Sequence, residues 1–361
     1  MPWSWKFARI AGIDVYVHAT FFMLIAWIAL TYWRESQSLA AVVEGVAFIL
    51  ALFVCVVVHE YGHALTARRY GIRTRDITLL PIGGLARLER MPDVPIQEFW
   101  VALAGPAVNV VLAVLLFGWL HASGAWESVS RVGVATGAFA ERVMLANVIL
   151  AVFNLLPAFP MDGGRALRAL LATRMEYTRA TQSAAAIGQG MAVLFGFLGL
   201  QSNPMLIFIA LFVWIGAGQE ASTAQMKSAL AGIPLRRAML THFRTLSPAS
   251  TLGEAIDLLL TGSQQDFPVV ADGRVEGMLT RSGLVKAVTR SGRDASVADA
   301  MTRQCPSAEA SEMLEAVLAR LQGRDCHTLP VYERGGLVGL VTMDNVGEFL
   351  TIQAAERRSS S

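Results

Sequence analysis

Charge is scarce in this 361-residue chain: Asp, Glu, Lys and Arg make up 16% of it, against about 25% in soluble domains. The deficit is uneven. Residues 15–33, 99–122, 143–159, 183–201 and 204–218 contain none of the four, whereas 220–361 has an ordinary soluble composition. A surplus of one sign is also missing. With 30 basic and 28 acidic residues the net charge is +2, and no basic cluster interleaves with aromatics, which excludes a nucleic-acid partner. Only three cysteines occur, Cys55, Cys305 and Cys326; their spacing excludes a Cys-based zinc site and indicates no disulfide framework. After Lys6 and Arg9 an apolar run follows without a small-residue cleavage site, so it reads as a retained segment rather than a cleaved leader.

Apolar residues, by contrast, reach 54% and the mean hydropathy is +0.48. A hydrocarbon core about 30 Å thick takes roughly 17–25 residues per helix. Six segments approach or meet that length: 15–33, 41–65, 99–122, 142–160, 183–201 and 204–220, the last two joined tightly near Pro204. The stretch 72–90 instead has β-branched residues around a Pro-Ile-Gly-Gly break, which predicts a hairpin or looped sheet. The expected fold class is therefore a polytopic α-helical membrane protein of about six transmembrane helices, with a short β hairpin or sheet after the second. With an inside N-terminus, segments 1–14, 66–98 and 161–182 hold 2, 6 and 4 basic residues, and the outer loops only Arg34, Arg131 and Arg142. That asymmetry orients both termini toward the cytoplasm of a plasma membrane.

The tail carries an internal repeat. Asp266-Phe-Pro-Val-Val with Gly277-Met-Leu-Thr280 recurs 62 residues later as Thr328-Leu-Pro-Val-Tyr with Gly339-Leu-Val-Thr342, and Ala238-Met239 is echoed by Ala300-Met301. Short apolar strands alternating with helices predict a soluble α/β module of two related halves. The expected domains are 1–222 in the membrane, a linker at 223–234, the module at 235–352 and a disordered tail at 353–361.

His59-Glu60-Tyr61-Gly62-His63 carries the strongest chemical signal. Residues four apart on an α-helix differ by about 40° in azimuth and about 6 Å in height, so both imidazoles leave one face and can reach one zinc at about 2.0–2.1 Å, the glutamate beside the metal's water. Three ionisable groups at the end of Ala51-Leu-Phe-Val-Cys-Val-Val-Val58 are costly in a membrane without a function. A catalytic zinc needs a third protein ligand. Asn154-Leu-Leu-Pro157-Ala-Phe-Pro160-Met-Asp162-Gly163-Gly164 offers Asp162 just after a proline-broken helix. From the residues alone Asp162 is either that ligand or the acidic start of the next helix.

The pairing of HEYGH with a downstream NLLPAFPMDGG resembles the site-2 protease family of intramembrane metalloproteases, over roughly residues 1–220. The resemblance implies one zinc per chain on His59, His63 and Asp162, Glu60 as general base, and Asn154 holding substrate or stabilising the oxyanion. Gly105-Pro-Ala-Val-Asn109 and Gly83-Gly84 resemble further family motifs, implying substrate contacts at Asn109, Gly83 and Gly84; plain helix packing and an ordinary turn are the alternatives. The implied activity is hydrolysis of peptide bonds in a single-span membrane protein, such as a membrane-held regulator. Competing readings of the same architecture are a ligand-gated transporter or channel and an inactive membrane scaffold.

The 62-residue repeat resembles a tandem pair of CBS domains over about 235–350. Such pairs imply an adenine nucleotide between the halves, with Thr280, Thr342 and Asn345 at the matching positions, or a homodimer contact. The family's acidic residue is missing: Gly283 takes its place in the first copy and Asn345 in the second.

Overall fold

The computed structural model describes residues 3–359 except 82, 93, 125–136, 304 and 322–327; Arg131, Cys326 and His327 lie outside the described residues. The chain divides into two compact units, residues 1–224 and 225–361.

The first unit opens with strands β1 (Ser4–Ile10) and β2 (Ile13–His18), followed by helices α1 (Ala19–Ser36) and α2 (Leu39–Arg69), strands β3 (Thr74–Leu80) and β4 (Gly83–Leu88), and helix α3 (Pro95–Ala122). Helices α4 (Phe139–Asn154), α5 (Asp162–Ala172), α6 (Tyr177–Gln201) and α7 (Met205–Leu230) complete it. The expected hairpin at 72–90 is present as β3–β4, but it belongs to a four-stranded sheet in the order β1-β2-β3-β4. This corrects the reading of 15–33 as helix throughout. Ile13, Val15 and Val17 alternate inward along β2, a period of two that no helix satisfies, and they pack with Tyr61, Ala64 and Ile77 or with Phe21 and Leu79.

Among the described residues, four helices are long and apolar enough to cross a membrane: α2, α3, α6 and α7. Helix α1 is 18 residues long and ends in Arg34 and Glu35, and α4 is only 16 residues long. The helices are arranged inside out relative to a soluble bundle. Large apolar side chains such as Leu115 (64% exposed) and Phe208 (68%) face outward, a surface that water would disfavour and lipid accepts. The buried stripe of α6 is small instead, with Ala180, Ala184, Ala185, Gly188 and Ala192, the composition that lets membrane helices approach closely. This unit is a membrane protein domain. Arg142, expected in an outer loop, instead lies within α4, buried under the Phe48 ring and paired with Glu44 at 2.9 Å.

The second unit contains α8 (Leu252–Thr261), β5 (Phe267–Ala271), β6 (Arg274–Leu279), α9 (Arg281–Ser291), β7 (Ala308–Glu309), α10 (Leu314–Leu321), β8 (Thr328–Glu333), β9 (Gly336–Thr342) and α11 (Met343–Ser359). Its repeat holds residue by residue. Pro268 faces Met278 in the first hairpin and Pro330 faces Leu340 in the second, each 62 positions on. The leading segments are exchanged. Leu240 bridges to Leu340 of the second half, and Thr302 to Met278 of the first. Gly277 and Gly339 make room for this, because a β-carbon there would meet Met301 or Met239 at 3.0 and 2.8 Å. Each half keeps its own core, one around Leu252, Phe267 and Leu279, the other around Leu314, Leu329 and Val341. Helix α7 continues to Leu230, within the expected linker, and α11 extends to Ser359.

Candidate metal centre

Helix α2 is 31 residues long, about 46 Å at 1.5 Å per residue, so it outreaches a hydrocarbon core of about 30 Å. His59, Glu60 and His63 occupy its last third. Both imidazoles are buried, and the neighbouring α3 helix approaches them through a gap in its own surface at Gly105. Helix α4 ends at Asn154, the chain turns through Pro157 and Pro160, and α5 starts at Asp162. The turn is tight: a β-carbon on Gly163 would lie 2.2 Å from the Leu156 carbonyl, and one on Gly164 2.5 Å from the Ala158 backbone. Asp162 is thus at once the first residue of a helix and a buried carboxylate.

These elements bring three donor atoms together. His59 Nε2 and His63 Nε2 are 3.0 Å apart, and Asp162 Oδ2 lies 3.3 Å from the first and 3.1 Å from the second. Ligand atoms on a tetrahedral zinc at about 2.0–2.1 Å would be about 3.3–3.4 Å apart, so the triangle has the size of one face of such a site. The other ring nitrogens are committed elsewhere. His63 Nδ1 donates to the Val101 carbonyl at 2.7 Å, and His59 Nδ1 to Asn109 Oδ1 at 2.5 Å. With protons on both Nδ1 atoms, two neutral imidazoles and a carboxylate turn only lone pairs toward one point. Mutual repulsion of three acceptors is relieved by a cation. His59, His63 and Asp162 form the one such cluster found among the described residues.

Beside the triangle is a cavity whose lining includes Glu60, His63, Glu98 and Arg165. Gly84 of β4 is pressed against Glu60, since a β-carbon there would lie 2.7 Å from Glu60 Cγ. Its neighbour Gly83 has φ +136°, a conformation open to glycine and strained for other residues. Asn109, fully buried, touches His59. Asn154 donates to the Leu150 carbonyl of its own helix at 3.0 Å and does not line the cavity.

Several residues were not singled out by their motifs. Arg168 on α5 is buried and donates to Glu98 of α3 at 2.8 Å and to Glu220 of α7 at 3.1 Å, with the rings of Phe159 and Tyr177 about it. It fastens the helix that carries Asp162. A charge four residues past the end of a DGG motif is the only sequence signal for it. Gly105 stood in the sequence as the first residue of a motif-like segment, with no sign that it faces both imidazoles.

In the second unit, Thr280 caps α9 by accepting from the Gly283 N–H, and Thr342 accepts from the Asn345 N–H at the start of α11. Thr342 and Asn345 also line a cavity with Asp266 and Thr328, and Thr280 does not.

The arrangement defines a metal centre buried among membrane helices and flanked by a carboxylate. Comparison with known proteins gives the family. The model of Peptidase family M50 matches residues 47–141 and 127–197, and that of the CBS domain matches 235–290 and 297–350. A zinc metalloprotease of Methanocaldococcus jannaschii is 31% identical over 354 residues, covering 98% of this chain and 97% of its own. A CBS domain-containing protein of Bacillus subtilis is 29% identical over 110 residues, 30% of this chain and 79% of its own. A solved site-2 protease from Methanocaldococcus jannaschii matches 60% of this chain and 95% of its own at 35% identity, with a TM-score of 0.44. The chain belongs to Peptidase family M50 and is a zinc metalloendopeptidase of the site-2 protease type with a tandem CBS pair. This membership does not favour the transporter, channel and inactive-scaffold readings.

Proposed function

We propose that His59, His63 and Asp162 hold one zinc ion per chain, and that the enzyme hydrolyses peptide bonds within or near transmembrane segments of other membrane proteins. The observation that carries this is the triangle of lone-pair donors with both Nδ1 protons committed elsewhere. A zinc ion there supplies Lewis-acid polarisation of a peptide carbonyl and makes water nucleophilic near neutral pH.

The remaining work falls to the chain's own groups. Glu60, in the cavity beside His63, takes the proton of the attacking water and returns it to the leaving amine as the bond breaks. Its carboxylate is kept in place by the glycine surface of β4. Asn154 is assigned by resemblance to holding substrate or the oxyanion, which requires its side chain to exchange the Leu150 carbonyl for substrate. A helical substrate hides its carbonyls in hydrogen bonds, so it must unwind locally to be cut. Strand β4 is the last in its sheet order and adjoins Glu60; an unwound segment added along it at Gly83 and Gly84 would lie extended at the reacting groups.

The same reading sets α1 and α4 beside the four long helices to make six spans, with the centre nearer the cytoplasmic side of a plasma membrane and both termini and the CBS pair in the cytoplasm. The domain limits follow as 1–222, 223–234, 235–352 and 353–361. The substrate is a single-span protein, such as a membrane-held regulator. At the CBS pair, an adenine nucleotide is placed in the cavity of Asp266, Thr328, Thr342 and Asn345, with Thr280 at the pseudo-equivalent position and a CBS-mediated homodimer as the assembly.

The test uses purified full-length protein in detergent or bilayers. Bound zinc is measured and cleavage of candidate single-span proteins is compared with Glu60→Gln. Zinc retained with cleavage reduced by about 10²–10⁴-fold is the expected result; equal cleavage by both forms refutes it. For the nucleotide, calorimetric titration of ATP and AMP into the full chain is expected to give a heat that Thr342→Ala abolishes.

A further inference from the structure

One buried polar group near the metal centre has no part in the reading above. Asn147 lies in the middle of α4, is fully buried, and sits among apolar residues of a membrane helix. Its amide is fully engaged. Nδ2 donates to the Val143 carbonyl at 2.9 Å and to Cys55 Sγ at 3.3 Å, while Oδ1 accepts from Asn109 Nδ2 at 3.1 Å. Asn109 in turn accepts from His59 through Oδ1 at 2.5 Å. Four groups on α2, α3 and α4 thereby form one chain of hydrogen bonds from a backbone carbonyl to a metal-site imidazole.

The direction of that chain is fixed at its far end. A backbone carbonyl only accepts, so the Asn147 amide nitrogen must face Val143 and its oxygen must face Asn109. Asn109 must then turn its nitrogen toward Asn147 and its oxygen toward His59. An oxygen facing Nδ1 selects the Nδ1–H tautomer and leaves Nε2 unprotonated, facing His63 and Asp162. His63 obtains the same tautomer directly from the Val101 carbonyl. His59 has no carbonyl partner of its own at Nδ1, and two amides extend the reach of one from the next helix. Rotating either amide by 180° would set like groups against each other at two fully buried side chains, so the low dielectric that makes the network costly when broken also makes it decisive when satisfied.

We infer that Asn147 is a positioning residue for the metal centre: through Asn109 it sets the tautomer and ring orientation of His59. The inference rests on His59 being a zinc ligand. Outer partners of metal-bound histidines typically contribute 10–100-fold to metal affinity, and Asn147 would act at one remove.

The test is a double-mutant cycle read as zinc affinity in full-length protein, by competition with a chromophoric chelator. Wild type, Asn147→Leu, Asn109→Ala and the double variant are compared, and the unfolding midpoint of each is taken in the zinc-free form. Asn147→Leu retains the branched shape and removes both polar ends; Asn147→Ala is run beside it in case the larger side chain prevents folding. The zinc dissociation constant is expected to rise about 10–100-fold in either single Asn147 variant. The double variant should be no worse than Asn109→Ala alone, because the path runs through Asn109. Zinc affinity within twofold of wild type in Asn147 variants, or a double variant equal to the product of the singles, overturns the inference. A wild type that binds no zinc would instead overturn the assignment of His59, so the two failures are distinct.

Discussion

A β-carbon on Gly105 would lie 2.2 Å from His63 Nε2 and 2.6 Å from His59 Nε2. The two imidazoles of the donor triangle therefore occupy space that α3 leaves open only because position 105 has no side chain. Gly105→Ala is expected to keep the helix, since alanine is the better helix former by about 1 kcal/mol, and to displace the imidazoles. Bound zinc should fall at least about tenfold, by analogy with losses on disturbing a metal's surroundings, with the far-ultraviolet dichroism unchanged. Elemental analysis of the purified variant checks this.

Gly84→Ala should separate from it. Its β-carbon would meet Glu60 Cγ at 2.7 Å and Val56 Cγ1 at 3.0 Å, and the side chain that must move is the one proposed as general base. Zinc content is expected to stay within twofold of wild type while cleavage falls by roughly the 10²-fold or more that a positioned base contributes. Measuring both on one preparation distinguishes the two glycines.

Arg168 makes its ion pair with Glu98 as two buried side chains. Removing one member of a buried pair leaves the other charge uncompensated, at about 3–5 kcal/mol. Arg168→Met should therefore lower the unfolding midpoint sharply in a detergent-based thermal scan. Adding Glu98→Gln should restore part of the loss, because no charge then remains opposite position 168 on α3.

Metal removal has a thermodynamic signature apart from activity. A ligand that binds only the folded state stabilises it by RT ln(1 + [L]/Kd), about 2.7 kcal/mol at one hundred times Kd. Chelation should lower the unfolding midpoint and zinc should restore it, whereas His59→Ala protein should show little response to either treatment.

In the CBS pair, Asp266 accepts from Thr328 at 2.6 Å and from the Arg281 N–H at 2.9 Å. Asp266 and Thr328 occupy equivalent places in the two copies, so this contact joins the halves across their approximate symmetry. Thr328→Val should cost about 1–3 kcal/mol by stranding a buried acceptor, seen as earlier unfolding of the second unit with zinc content unchanged.

Much of this was legible in the residues. Two histidines four apart at the end of an apolar run define their own geometry, since helical periodicity alone puts them on one face. The 62-residue repeat likewise announced two similar halves, because identical local patterns fold alike. The sheet was half hidden. Ile13, Val15 and Val17 merge into the apolar run of α1, and a composition window cannot separate a period of two from the helix that follows it. The proline-broken segment left Asp162 with two roles, because nothing in the local sequence says what α2 places opposite it.

By itself, then, the sequence determined the class of protein, the membrane setting, the histidine pair and the CBS repeat, all of which depend on local periodicity and composition. Tertiary structure decided the rest: that Asp162 reaches His59 and His63 from 99 and more residues away, that Gly105 makes room for them, and that Asn109 meets a ring nitrogen. It also decided the partners of Arg168. Those relationships depend on how α2, α3, α4 and α5 pack, and a residue's neighbours across such an interface leave no trace in its own segment.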